Sequence, residues 1–344
     1  MLSFANLRPE VGMKKDTAVG YVYIILCTLI FSTMEVMLKM PAVSGVFKPM
    51  QITVERFLIG GLCLVPFAVK ILHQKSVRLT GSDCAHLALT GFLCVPVSMV
   101  LYQLAIVYGK ASVVAVLFSG NPIFVTLLAF LLLREEIRWN NLLALALEIC
   151  GIAAIINPFS SGSDISLLSV TLSIISALVF ALYGVLGKKL TYKCGGLVVT
   201  CGSFLFGSAE LLVLIFLGYL APVQNLYGHI GLSLFSNVPL IQGINLQTLP
   251  YFLFICIVNS AAGYVCHMMA IEKTSATTAS LIFFFKPIIA PIIALAVLGE
   301  AITPNMIFGI AFFLAGSLCG LVPKMLKERR ERSLDAECET RTDL

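Results

Sequence analysis

Apolar residues run in long stretches along almost the whole chain, separated by short polar segments. Ten stretches are legible: 18–40, 48–70, 84–108, 110–133, 141–158, 166–189, 194–220, 249–271, 274–298 and 305–322. A helix needs roughly 20 apolar residues to cross the hydrocarbon core of a bilayer, and each stretch is near that length. The pattern predicts an all-α integral membrane protein of ten transmembrane helices, with an N-terminal tail over 1–17 and a charged C-terminal tail over 323–344. The connection 221–249 is the long exception among the loops. It carries no Lys, Arg, Asp or Glu, and within it GHIGLSLF (228–235) reads as a short interfacial helix.

Composition agrees, since 59% of residues are hydrophobic and 12% charged, against about 45–50% and about 25% in soluble domains. The net charge of +5 says less than its distribution. With the N-terminus inside, the inner segments hold Arg8, Lys14, Lys15, Lys70, Lys75, Arg78, Arg134, Arg138, Lys188, Lys189, Lys193, Lys273 and six residues of the C-terminal tail. The outer side holds Lys39, Lys48 and Lys110. This bias predicts a multi-pass protein of the cell (plasma or inner) membrane with both termini cytoplasmic. The 11 cysteines form no C-x-x-C and no metal-ligand spacing, so no metal or cofactor is expected.

The chain also contains itself twice. Residues 105–158 align without a gap on 270–323, with 14 identities in 54 positions. Phe118 falls on Phe283, Pro122 on Pro287, Glu135 on Glu300, Gly151 on Gly316 and Pro158 on Pro323. Weaker matches place LIFSTMEVMLK (29–39) beside LVFALYGVLGK (178–188), and Thr53 and Phe57 beside Thr200 and Phe204. The repeats are 18–158 and 166–322. Five helices per repeat is an odd number, so the second copy enters from the opposite side, the inverted arrangement of many secondary transporters.

Lys286 stands mid-way along the ninth stretch, twelve residues from either end of 274–298. That is about 18 Å of hydrocarbon each way, and a lysine side chain of about 6 Å cannot snorkel so far. An ammonium there costs several kcal/mol unless it meets water, a counter-charge or a substrate. The repeat places Asn121-Pro122 at the same position as Lys286-Pro287. Each proline lacks an N–H, which frees the carbonyls of Phe118 and Phe283. Paired interruptions point to a transporter's binding site, although kinks between packed helices are the other reading. On the first helix Thr28, Ser32, Glu35 and Lys39 share one face. Glu35 either pairs with Lys39 or serves as a cavity carboxylate, one that titrates for proton coupling or neutralises Lys286. Ser98 and Tyr102 align with Gly263 and His267; Ser260, Tyr264 and His267 form a stripe on the eighth helix, and Ser169, Ser173, Ser176 and Tyr183 another on the sixth. The candidate substrate-binding set is Lys286, Glu35, Ser32, Tyr102, Asn121, Tyr183, Tyr264 and His267, with Pro122 and Pro287 as gating helix breaks. A lone buried histidine also serves often as a hydrogen-bonded packing residue, so His267 keeps both readings.

Two stretches carry a resemblance to a known family: SGNPIFVTLLAFLLLREEIRWNNLLALALEICGIAAIINP and FFFKPIIAPIIALAVLGEAITPNMIFGIAFFLAGSLCGL. Each has a proline-bearing helix, a short glutamate-containing turn and a glycine-bearing helix. Over about 18–323 the chain resembles the EamA type of the drug/metabolite transporter superfamily, with FSTMEVMLK and VERFLIGG similar to its first and second spans. Two features depart from the pattern: Arg134 replaces the usual turn glycine, and the connection after Leu220 is long. The resemblance implies that the first, third, fourth, sixth, eighth and ninth spans face the centre. It also implies that Arg56, Glu55, Glu148 and Glu210 lie in peripheral spans, where ion pairs or snorkelling would account for the first three.

These readings predict a secondary active transporter, an exporter of a small polar metabolite such as an amino acid, working by alternating access around a midplane site. Its partners are a small-molecule substrate and the lipid bilayer, with protons as the candidate coupling ion and no nucleic acid. The sequence has no phosphate loop, zinc-ligand cluster or nucleophile motif, so no enzyme is expected. An intramembrane enzyme or a channel using the same polar cavity is the alternative.

Overall fold

The computed structural model describes residues 13–133, 139–156, 166–229, 231–274, 276–279 and 281–342. Residues 1–12 and the turn residues Arg134, Glu135, Arg138 and Pro158 lie outside them. Every regular element among the described residues is helical. The main helices are α1 (Met13–Lys39), α2 (Pro49–Gln74), α3 (Gly81–Tyr108), α4 in two pieces (Ala111–Phe118 and Asn121–Leu133), α5 (Trp139–Ile156), α6 (Leu167–Cys194), α7 (Gly196–Leu217), α8 (Leu249–Lys273), α9 (Leu281–Leu298) and α10 (Pro304–Thr342). Eight of them are long and apolar enough to cross a membrane. In α5 and α10 the apolar described parts are shorter, Leu142–Ile155 and Pro304–Gly320. Such lengths reach at most about 26 Å, a little under a typical hydrocarbon core of about 30 Å. The helices also overrun the expected tails: α1 begins at Met13, and α10 continues through Pro323 as far as Thr342.

Contacts at the helix ends sort into two faces. On one, Lys39 at the end of α1 donates to the Gly109 carbonyl and, at 3.2 Å, to that of Ile106. The backbone N–H groups of Ala111 and Ser112 and the Ser112 hydroxyl donate to the Glu300 carboxylate. Glu300 thus caps the first turn of α4, where free N–H groups and the helix dipole favour an anion. On the other face Lys75 pairs with Glu272 at 3.6 Å, Lys193 pairs with Asp83 at 2.5 Å, and the Gly196 N–H donates to Glu272. Gly20, near the start of α1, lies against Thr274 on this second face. Near the start of α6, Ser169 donates to the Ala105 carbonyl and lies against Gly109, at the first face. The two helices that open the halves therefore begin at opposite faces.

Residues matched by the internal alignment meet one another. The rings of Phe57 and Phe204 lie 4.7 Å apart and those of Phe118 and Phe283 6.1 Å apart, while the Tyr264 hydroxyl donates to the Met99 sulfur 165 positions away. A residue touches its own equivalent only near a two-fold axis. Pairs away from the axis repeat as well. A side chain at Gly60 would press on the Cys256 carbonyl at 3.0 Å, and one at its equivalent Gly207 on the Gly91 carbonyl at 2.4 Å. These glycines let α2 approach α8 and α7 approach α3 with backbones nearly touching, the means by which helices pack tightly in lipid. α5 and α10 close on each other in the same way through Gly151, Gly309 and Gly316.

The two halves differ where the sequence expected them to match. The fourth helix breaks at Ser119-Gly120, so Pro122 sits in the first turn of its second piece, where a proline costs nothing. The aligned α9 runs unbroken from Leu281 to Leu298 through both Pro287 and Pro291. The expectation of paired breaks is corrected on that side. Ser119 and Gly120 align with Phe284 and Phe285; Gly120 is tucked against Glu148 and Phe313, where a Cβ would clash, while the phenylalanine pair keeps its turn helical. A second correction concerns 221–249. The helix there is Ala221–His229, which takes in only the first two residues of the expected GHIGLSLF; further along, that segment forms a 3-10 turn at Ser233–Phe235. A pair of matched features escaped the sequence altogether: α3 and α8 each contain a π-helical stretch, Leu93–Met99 and Phe254–Ala262. Such stretches cluster at functional sites.

Candidate functional site

At the centre of the bundle Lys286 and Glu35 face each other. Lys286 Nζ lies 2.5 Å from Glu35 Oε1, and the two residues are 1% and 0% exposed. The contact decides between the two readings of Glu35. Lys39 turns away to the Gly109 carbonyl, so the pair across i,i+4 does not form, and the partner of Glu35 is the lysine of α9. The ammonium also lies 5.1 Å from the Phe118 ring centroid and 5.8 Å from that of Tyr102. These ring faces add some cation–π stabilisation to the pair. Tyr102 sits beside the Glu35 carboxylate, its hydroxyl directed at it without forming a well-aligned hydrogen bond. One carboxylate, one ammonium and one phenol are thus gathered from α1, α9 and α3.

The pseudo-equivalent location is the informative comparison. Applying the internal alignment, Lys286 becomes Asn121, Tyr102 becomes His267 and Glu35 becomes Gly184. Those three residues line one small cavity together with Phe180 and Phe283. Its volume is about 20 Å³, room for roughly one water. The cavity lies where the glycine supplies no side chain; Gly184 has open space where a Cβ would stand. His267 Nδ1 has no hydrogen-bond partner, and its ring is surrounded by Phe31, Phe180 and Phe283. The Asn121 amide donates to the Ala177 carbonyl of α6 at 2.9 Å, which ties the second piece of α4 to its neighbour. One half of the site is thus charged and filled, the other neutral and partly empty.

Other predicted residues are placed differently. Ser32 spends its hydroxyl on the Thr28 carbonyl at 2.7 Å, and Thr28 spends its own on Ile24. Tyr264 is bound to Met99 and ringed by Phe31, Phe57, Phe180 and Phe204, within the central aromatic cluster. Tyr183 faces Thr200 and Ser203 of α7. The serine stripe on α6 holds helices together: Ser98 and Ser176 each donate to the other's carbonyl, at 2.9 and 2.8 Å. The two bonds close a ring between α3 and α6 at the π-helical stretch.

Among the residues expected at the periphery, Arg56 is the largest correction. It is 0% exposed, its guanidinium lies 4.5 Å from the Phe57 ring and 3.5 Å from the Met34 sulfur, and its Nε and Nη2 have no hydrogen-bond partner. It neither snorkels nor enters an ion pair among the described residues. Adjacent helical positions point about 100° apart, so Glu55 turns elsewhere, accepting from Gln51, which in turn reaches the Gln242 carbonyl. Glu148 is buried as well, with its carboxylate against Gly120 at the break in α4. It lines a second cavity of about 20 Å³ with Pro122 and Ser317. A charged residue flanked by the sequence VERFLIGG looks like an interfacial anchor by position alone; only the packing of α2 on α8 and α7 shows that its guanidinium turns inward.

Comparison with known proteins places the chain. The family model of the EamA-like transporter family matches residues 18–157 and again 167–321. An uncharacterized transporter of Clostridium kluyveri is 36% identical over 303 residues, covering 87% of this chain and 92% of that protein. A protein of Streptantibioticus cattleyicolor named as a probable terminal-alkyne amino-acid exporter is 26% identical over 245 residues, 70% of this chain and 75% of its own. One solved crystal structure superposes with a TM-score of 0.60 at 14% identity, covering 89% of this chain and 98% of that one, a likeness of fold. With two family matches that together span most of its length, the chain belongs to the EamA-like transporter family and is a multi-pass membrane transporter.

Proposed function

We propose that the protein is a secondary carrier that exports a small polar metabolite by alternating access, and that its ten helices form two inverted five-helix repeats, 18–158 and 166–322. Both termini face the cytoplasm, and the membrane is the plasma or inner membrane. The single observation that carries this reading is the Glu35–Lys286 pair, sealed at the junction of the two halves, one partner from each. A channel would keep a continuous wet path there. Here the cavity beside His267 holds about one water, as expected of a carrier closed around its site. An enzyme would need paired catalytic groups beside a substrate-sized pocket.

The substrate-named relative suggests amino acids as the first class to try. Lys286, Glu35 and Tyr102 form the charged half of the site, and Asn121 and His267 the neutral half. Tyr264 lies between them near the two-fold axis, and Ser32 and Tyr183 support the walls. The Ser119-Gly120 break, which Pro122 follows, is the gating position, and Pro287 lies in the unbroken counterpart helix. The Glu35 carboxylate is the group through which protons would couple to transport.

Counterflow in proteoliposomes tests the proposal. Purified protein preloaded with unlabelled amino acids, nucleosides or organic acids should accumulate the labelled counterpart of at least one class. Accumulation should vanish in Glu35→Gln and Lys286→Met. Sustained flux of small ions with no saturable counterflow would instead establish a channel.

A further inference from the structure

Arg56 has no role in the arrangement described so far, yet it is a charged residue buried without an ion-pair partner among the described residues. Its charge is permanent, because an arginine does not deprotonate in a protein. It is fully buried, and two of its three nitrogens donate to nothing. Among the described residues its guanidinium forms no ion pair with a carboxylate. What it does have, the Phe57 ring face and the Met34 sulfur, offers weak attraction in place of an anion. A buried guanidinium in such surroundings costs free energy that the rest of the fold must offset, and an incoming anion would relieve that cost.

The charge count around the centre points the same way. Lys286, Arg56 and Glu35 are all buried, and the pairing of Lys286 with Glu35 at 2.5 Å leaves Arg56 as a buried cation with no ion-pair partner among the described residues. Tyr102 and Tyr264 link the two places, since both lie near Glu35 and near Arg56. A single negative charge arriving between them would neutralise the site. The unpaired arginine N–H groups, joined by the Tyr102 hydroxyl once it turns from the Glu35 carboxylate, are the donors that such an anion needs.

We propose that Arg56 is the anchor for the carboxylate of a small monocarboxylate substrate, with Tyr102 as the second donor and the ring cluster of Phe31, Phe57, Phe204 and Tyr264 as the seat of an apolar body. The inference rests on the carrier reading and narrows its substrate. A carboxylate without an ammonium neutralises the site, whereas the ammonium of a zwitterion would restore the excess positive charge. The forked guanidinium would hold both carboxylate oxygens, and the surrounding rings offer little to a strongly hydrated body.

Ligand-dependent unfolding of the purified full-length protein in detergent tests this without relying on transport. The probes are butyrate, isovalerate, benzoate and phenylacetate, the amides of each, the matching α-amino acids, and inorganic phosphate. At least one carboxylate should raise the unfolding temperature of the wild type, with its amide inactive and its amino acid weaker. Arg56→Met should bind that carboxylate at least about tenfold more weakly, and Arg56→Lys should retain part of the response. Unliganded Arg56→Met should unfold at or above the wild-type temperature, because an uncompensated buried charge has been removed. A residue that merely braces α2 would give the opposite sign, so a large loss of unliganded stability would overturn the proposal. So would equal responses to acid and amide, a response to phosphate alone, an unchanged carboxylate response in Arg56→Met, or no response to any carboxylate. None of these results bears on counterflow of another substrate class, so the carrier reading stands or falls separately.

Discussion

Removing one partner of the Glu35–Lys286 pair should damage the protein more than removing both. At 2.5 Å and an effective dielectric of about 20, the Coulomb attraction between unit charges is about 7 kcal/mol. Desolvation of two fully buried ions costs several kcal/mol each, so the net worth of the pair is near zero or unfavourable against apolar replacements. Either single change strips the attraction and leaves the other ion's desolvation uncompensated. Lys286→Met and Glu35→Gln should therefore each lose about 3–5 kcal/mol, while the double variant should fall within about 1 kcal/mol of the wild type. Interactions inside membrane bundles often measure smaller than this, so the sign and size of the coupling are more telling than the absolute losses. The assay is thermal unfolding in detergent, followed by intrinsic fluorescence or by the accessibility of buried cysteines such as Cys27 and Cys94. The single variants should unfold several degrees lower and the double variant should recover most of the difference. Additive losses in the double variant would refute the claim that these two residues neutralise each other.

Further outcomes follow from the same geometry. Gly184→Ala should express normally, since a Cβ meets open space there, but should slow counterflow if the neutral cavity beside His267 is used in the cycle; unchanged rates would leave that cavity as packing. Pro122→Ala and Pro287→Ala should differ: the first should leave transport near wild type because the break belongs to Ser119-Gly120, and the second should slow it by straightening an unbroken helix, as measured by initial counterflow rates. Glu300→Gln should lose about 1 kcal/mol or more of stability by weakening the charge-assisted cap on α4, read by thermal unfolding. Reporters active only in the cytoplasm, fused to each end, should both give signal; signal from one end alone would break the inverted ten-helix arrangement.

Much of this architecture is legible in the sequence because lipid imposes few solutions. Backbone groups must be satisfied inside each spanning segment, so an apolar run of the right length has one reading. Lys286 was legible for the same reason: a charge twelve residues from either end of an apolar run has to be partnered. Its partner was not settled, because Glu35 had an equally good local candidate in Lys39, and only the position of Gly109 shows where that lysine goes. Arg56 failed by the reverse logic. Seven residues into α2, it stands where arginines ordinarily reach the interface, and its inward turn depends on glycine contacts between helices that lie far apart in the chain. The break at Ser119-Gly120 was legible in part, through the proline that follows it. The decisive difference lay in two phenylalanines at the aligned positions.

The departures from symmetry matter more for transport than the symmetry itself. Two identical halves would give inward-open and outward-open arrangements of equal energy, and nothing in the protein would prefer either. Here the residues on the two-fold axis are matched in kind, Phe57 with Phe204 and Phe118 with Phe283, so the pivot can serve both arrangements. Away from the axis the halves diverge. Glu35, Lys286 and Tyr102 fill one location with charge, while Gly184, Asn121 and His267 leave the other neutral and partly empty. In the proposed alternating-access cycle, opening the charged side would separate or hydrate an ion pair, and opening the neutral side would wet a histidine and an amide. A substrate or proton that alters the charged cluster therefore acts on one arrangement more than the other, and only a differential interaction of that kind can shift a conformational equilibrium. In the proposed carrier the ion pair is the element on which a gradient would act, and its confinement to one of the two pseudo-equivalent locations would give transport a direction.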